Sequence, residues 1–108
     1  GDTEWEAEFK MNGKGYSANF DNSGVWTETE YEIKTKEIPV AVKSVLDKES
    51  AGYKIEVSEI SETKDGKIYE FVLEKGKTGM ELAIDANGVL LKKEQIKEEK
   101  EDKEDDED

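Results

Sequence analysis

FDNSGVW, residues Phe20–Trp26, is written a second time as IDANGVL, residues Ile84–Leu90, at an offset of 64 positions. In both copies an apolar residue leads into an Asp-x-x-Gly turn and two apolar residues follow it, the pattern of a strand, a tight reversal and another strand. The offset holds upstream: Trp5 falls on Tyr69, Ala7 on Phe71, Phe9 on Leu73, Gly15 on Gly79, Tyr16 on Met80 and Ala18 on Leu82. Self-similarity sustained over that length reads as a duplicated three-strand meander.

Working outward, Trp5, Ala7, Phe9 and Met11 alternate with Glu6, Glu8 and Lys10, which marks a half-buried strand. NGKG turns the chain, and Tyr16, Ala18 and Phe20 alternate with Ser17 and Asn19. Unbroken alternation through the next strand groups Val25, Thr27, Thr29, Tyr31 and Ile33, and sets Trp26 with Glu28, Glu30 and Glu32 on the acidic side. A bulge after Gly24 would instead turn Trp26 inward, and both readings stand at this stage.

In EIPVAVKSVLDKESAG the period changes. Ile38, Val42, Val45 and Leu46 recur at helical spacing, Pro39 suits the first turn and Gly52 the C-terminal stop. Strands resume at Tyr53, Ile55 and Val57, with Ile60 out of phase as a bulge would make it. They continue through Tyr69–Leu73, Met80–Ile84 and a last strand with Val89 and Leu91. The expectation is an α+β domain: an antiparallel sheet of about seven strands with one helix packed on one face, built from two repeated meander units. By symmetry the first unit calls for a helix and a strand ahead of Trp5. One helix of about 14 residues, about 21 Å long, does not cover seven strands about 4.8 Å apart, so the end strands curl or a partner covers them.

Of 108 residues, 42% are charged, with a formal net charge of −13. Residues 97–108 hold three lysines against nine acids and nothing apolar, so the domain is expected over 1–96 and a solvated, disordered acidic tail over 97–108. A negative chain with its lysines scattered among acids offers no basic stripe for nucleic acid and no attraction to anionic lipid. No apolar run is long enough to insert into a membrane.

The chain contains neither cysteine nor histidine, which removes disulfides, the usual zinc ligands, the usual nucleophile pairs and the usual general base. DNSG and DANG lack the further ligands of an EF-hand loop and read as turn caps; no cofactor is expected. Glu28 and Glu30, about 7 Å apart on one strand face, lack a pocket that would raise a carboxyl pKa for hydrolysis. No enzymatic constellation results. The candidate contact residues on the open sheet face are Trp26, Glu28, Glu30, Glu6, Glu8, Asn19 and Val72.

The ordered pieces WEAEFKMNGK, YSANFDNSG, TETEYEI, IPVAV and LAIDANGV resemble the PepSY-like, beta-lactamase-inhibitor-like family over residues 4–95. The resemblance implies helices on the convex side of an antiparallel sheet, an open concave face, and export to the Gram-negative envelope, periplasmic or secreted. It also implies a signal sequence and a helix ahead of the strand at Trp5, a pattern from which this chain departs. Two functions follow: a non-enzymatic exported module, inhibitor-like, contacting a protein or peptide through the open face; or a structural or homeostatic envelope protein binding divalent cations weakly through its acidic surface and tail.

Overall fold

The computed structural model describes residues 5–97, so most of the expected acidic tail lies outside the described residues. Seven strands are joined in chain order: β1 (Trp5–Met11), β2 (Lys14–Phe20), β3 (Trp26–Glu32), β4 (Lys54–Thr63), β5 (Gly66–Lys75), β6 (Thr78–Asp85) and β7 (Leu90–Lys97). Each strand pairs antiparallel with its neighbour in one open sheet, as the alternation predicts. Between β3 and β4 the chain makes a 3-10 turn (Thr35–Glu37) and the helix α1 (Val40–Glu49). Glu37 ties that turn down, accepting from the Lys34 backbone N–H at 2.7 Å and pairing with Lys14 Nζ at 3.0 Å.

The helix is shorter than the sequence reading. Pro39 precedes it as N-cap with an extended backbone, and Gly52, at φ +85°, lies just past the Ser50 C-cap. Proline fits there because its missing N–H forfeits no intrahelical bond. Val42 and Leu46, one turn apart, are fully buried against Phe71, Leu73, Met80, Leu82 and Ile84, while Val40 points to solvent. Burying two such side chains contributes about 1.5–3 kcal/mol each. The core therefore lies on one face of the β4–β7 half, under α1.

The duplication extends to individual bonds. The pairs Trp5↔Phe20, Ala7↔Ala18 and Phe9↔Tyr16 become Tyr69↔Ile84, Phe71↔Leu82 and Leu73↔Met80 when 64 is added to each number. In the first turn Asp21 Oδ1 accepts from the backbone N–H groups of Ser23 and Val25, at 2.8 and 3.0 Å. Asp85 Oδ1 accepts from Asn87 and Val89, both at 2.9 Å.

The register after the turn corrects the unbroken alternation. β2 pairs Asn19 with Glu28 and then Phe20 with Trp26, leaving Thr27 as the extra residue; β6 pairs Ala83 with Lys92 and then Ile84 with Leu90, leaving Leu91 extra. A bulge is thus part of the repeated unit. It turns Trp26 and Leu90 to the α1 side of the sheet and leaves Val89 and Leu91 exposed. Trp26 Nε1 donates to Thr29 Oγ1 at 2.7 Å, consistent with both side chains lying on that side. The bulge foreseen before Ile60 lies at Glu56, between the pairs Ile55↔Leu73 and Val57↔Val72, and it brings Ile60 into the core.

Candidate protein-contact face

The side of the sheet away from α1 carries a band of carboxylates. The register sets Glu6 beside Asn19 and Glu28, and Glu8 beside Ser17, Glu30 and Ser61. Glu59 lies opposite both Glu32 and Glu70, and Val72 stands beside Val57 and Glu81. Six of the seven sequence candidates, Glu6, Glu8, Asn19, Glu28, Glu30 and Val72, therefore share this face. Trp26 does not: the bulge at Thr27 sets it on the opposite side, 37% exposed.

Hydrogen bonds fix several of these groups. Ser17 Oγ donates to Glu6 at 2.5 Å, and the buried Ser61 hydroxyl donates to Glu28 Oε2. Asn19 Nδ2 reaches the other oxygen of Glu28 at 3.5 Å. The Ser61–Glu28 pair satisfies a hydroxyl that would otherwise be costly to bury.

Beside that pair, Glu30, Glu59 and Glu70 place one carboxylate oxygen each within 4.8 Å of one another. All three are half-buried and their carboxyl pKa values are raised. Burial is the first cause for each. Glu28, Glu59 and Glu70 then act on Glu30, Glu32 acts on Glu59, and Glu28 and Glu59 act on Glu70. Lys92 opposes the shift of Glu70 but is itself paired with Glu81 at 3.0 Å and Glu94 at 3.4 Å.

Chemically the array accepts protons, lysine or arginine groups, or a hard divalent cation; Glu30, Glu59 and Glu70 are the residues that could ligate one. Sequence reading missed Glu59 and Glu70, which come from different strands. Their signal was available in the single acids set next to inward apolar residues, Glu59 before Ile60 in SEISE and Glu70 between Tyr69 and Phe71 in YEFVLE.

On the α1 side the two halves differ. In β1–β3, Phe9 stacks on Tyr16 at 5.4 Å between ring centroids and Tyr16 leans on Tyr31 at 4.9 Å. Trp5 is 64% exposed, and every residue of β1 is exposed. Among the described residues no helix is long and apolar enough to cross a membrane.

Comparison with known proteins agrees with this architecture. A DUF2874 family protein from Bacteroides uniformis superposes with a TM-score of 0.80 at 17% identity, over 86% of this chain and 71% of that one. A Bacteroides eggerthii protein named among "putative periplasmic proteins" gives 0.80 at 17%, over 87% and 71%. A BLIP-like protein from Bacteroides fragilis gives 0.78 at 20%, over 90% and 71%. At these identities the likeness shows the fold. No curated protein matches the chain. Residues 3–92 match the family described as "Putative beta-lactamase-inhibitor-like, PepSY-like", and the chain belongs to that family.

Proposed function

We propose that this protein is a non-enzymatic binding module of the cell envelope that contacts a protein or peptide through the face of its sheet opposite α1. The observation that carries the reading is the gathering of Glu6, Glu8, Asn19, Glu28, Glu30 and Val72 on the one face of the sheet that α1 does not cover. Such a face selects a partner presenting lysine and arginine, whose approach it steers and whose charges it pairs. Family membership supports binding over catalysis, as does a sequence without histidine or cysteine. The description of the Bacteroides eggerthii relative supports a periplasmic location.

The test is a pull-down from envelope extract with the wild type, Trp26→Ala and the double variant Glu30→Lys/Glu59→Lys. The double variant should lose partners that Trp26→Ala retains; identical partner sets for all three would sink the role of this face. The inhibitor-like part is checked separately by following hydrolysis of a chromogenic β-lactam with and without the protein.

A second reading, weak binding of divalent cations, is favoured by the Glu30, Glu59 and Glu70 oxygens lying together. Calcium calorimetry on the full chain, on a chain ending at Gln95 and on Glu59→Gln tests it. Heat that survives truncation and is lost in Glu59→Gln supports the triad, and no heat from any form removes the reading.

A further inference from the structure

We propose that Asn12, at the tip of the β1–β2 hairpin, is a site of spontaneous covalent modification, where attack by the Gly13 backbone nitrogen expels the side-chain amide and leaves aspartate or isoaspartate. The chain has four asparagines, Asn12, Asn19, Asn22 and Asn87, and two of them, Asn12 and Asn87, precede glycine. Glycine has no side chain to hinder approach to its nitrogen, so the two dipeptides begin with the same chemistry. The fold treats them oppositely.

Asn87 lies in the second of the repeated Asp-x-x-Gly turns. The Gly88 N–H, whose nitrogen would have to attack, donates to the Asp85 carbonyl at 2.9 Å, and Asp85 Oδ1 accepts from the N–H groups of Asn87 and Val89 on either side, both at 2.9 Å. A Cβ on Gly88 would come within 2.8 Å of the Ala41 carbonyl oxygen, so α1 closes onto this turn and leaves it little room to reshape. The first copy protects Asn22 in the same way, since the Ser23 N–H donates to Asp21 Oδ1 at 2.8 Å. Asn19 lies within β2 with its amide nitrogen 3.5 Å from Glu28.

Asn12 has none of this support. Asn12 and Gly13, at φ +54° and +80°, form the exposed two-residue turn between the paired Met11 and Lys14. Among the described residues neither the Gly13 N–H nor the Asn12 side chain has a hydrogen-bond partner, and the space around Gly13 is open. Ring closure requires the peptide plane after Asn12 to swing toward its side chain, so the rate follows how readily each turn opens. This turn joins β2 to β1, the wholly exposed strand at the end of the sheet, and opens at the least cost. The Gly13 nitrogen gives up its proton and bonds to Asn12 Cγ; the side-chain nitrogen departs with that proton as ammonia, leaving a succinimide. Water then opens the ring at either carbonyl, adding a carboxylate to a hollow that Glu8 and Glu30 already line. Isoaspartate also lengthens the backbone by a methylene, which the two-residue turn does not accommodate. At the matching place in the second copy, 64 positions on, stands Gly76 at φ +61°, which has no amide to lose.

The full chain is incubated at mildly alkaline pH, folded or in concentrated urea, and sampled by mass spectrometry after trypsin digestion. Cleavage after lysine places Asn12 in residues 11–14, Asn19 and Asn22 in 15–34, and Asn87 in 78–92, so each Asn-Gly pair is read separately. In the folded chain Asn12 should convert about tenfold faster than Asn87, whose attacking N–H must first give up its hydrogen bond. In urea the two rates should converge. Asn12→Gly, which borrows the residue of the second copy, should remove the fast conversion and leave the slow one unchanged. Asp85→Ala should speed conversion of Asn87; should that variant fail to fold, the comparison in urea tests the same protection. Equal rates in the folded chain, or a tenfold difference that persists in urea, would overturn the proposal.

Discussion

Replacing Glu70 by glutamine should stabilise the fold at pH 7 and lose that gain by pH 4. Glu70 is half-buried on β5, its carboxylate within 4.8 Å of those of Glu30 and Glu59. At that separation two like charges repel by about 0.9 kcal/mol even at the dielectric constant of bulk water, and more where solvent is displaced. Removing one charge relieves two such pairs, so with screening and residual repulsion in the unfolded chain the net gain is about 1–2 kcal/mol. A domain of this size shifts its Tm by about 4–8 °C per kcal/mol, which scanning calorimetry resolves easily. The sign of the pH dependence follows from the raised carboxyl pKa values of Glu30, Glu59 and Glu70. Below the unfolded pKa each is protonated in both states and costs the fold nothing; as pH rises through the folded pKa the native state must carry the buried charge and stability falls. Wild type should therefore gain stability from these groups on acidification through the carboxylate range, and glutamine at 70 should reproduce part of that gain at neutral pH. High salt should shrink the difference. A variant no more stable than wild type at pH 7, or an equal gain at pH 4, would refute the assignment of mutual repulsion.

Other expected outcomes concern the frame. Leu46→Ala empties a fully buried site beneath α1 and should cost about 2–5 kcal/mol in urea denaturation. Gly24→Ala and Gly88→Ala share the left-handed backbone penalty of about 1–2 kcal/mol. Gly88→Ala should cost about 1–3 kcal/mol more, because its Cβ meets Ala41. Asp21→Ala and Asp85→Ala each delete two caps to backbone N–H groups and should lose about 1–2 kcal/mol apiece, measured by thermal melting.

Much of the fold was legible because its signals are local. The alternation along β1, β2, β5 and β6, the helical spacing of Val42 and Leu46, and the 64-residue offset all lie within short windows. The position of Trp26 was not, since alternation read through Gly24 ignores the extra residue Thr27. Leu90, apolar at the matching place in the second copy, was the clue that both side chains turn inward. The carboxylate triad was half legible: Glu30 stands out in TETEYE, whereas Glu59 and Glu70 join it only through the β3–β4 and β4–β5 registers. Interstrand register depends on where bulges fall, and the bulge at Glu56 has no strong marker of its own.

The strand order, identical to chain order, also governs how the molecule comes apart. Every strand is hydrogen-bonded only to its sequence neighbours, so contacts are predominantly short in loop length and folding proceeds without distant ends having to meet. Opening is graded in the same way. β1, wholly exposed and held along one edge by β2, is the first row to release its amide protons to solvent, and loss proceeds inward toward the α1-covered strands, whose amides exchange last.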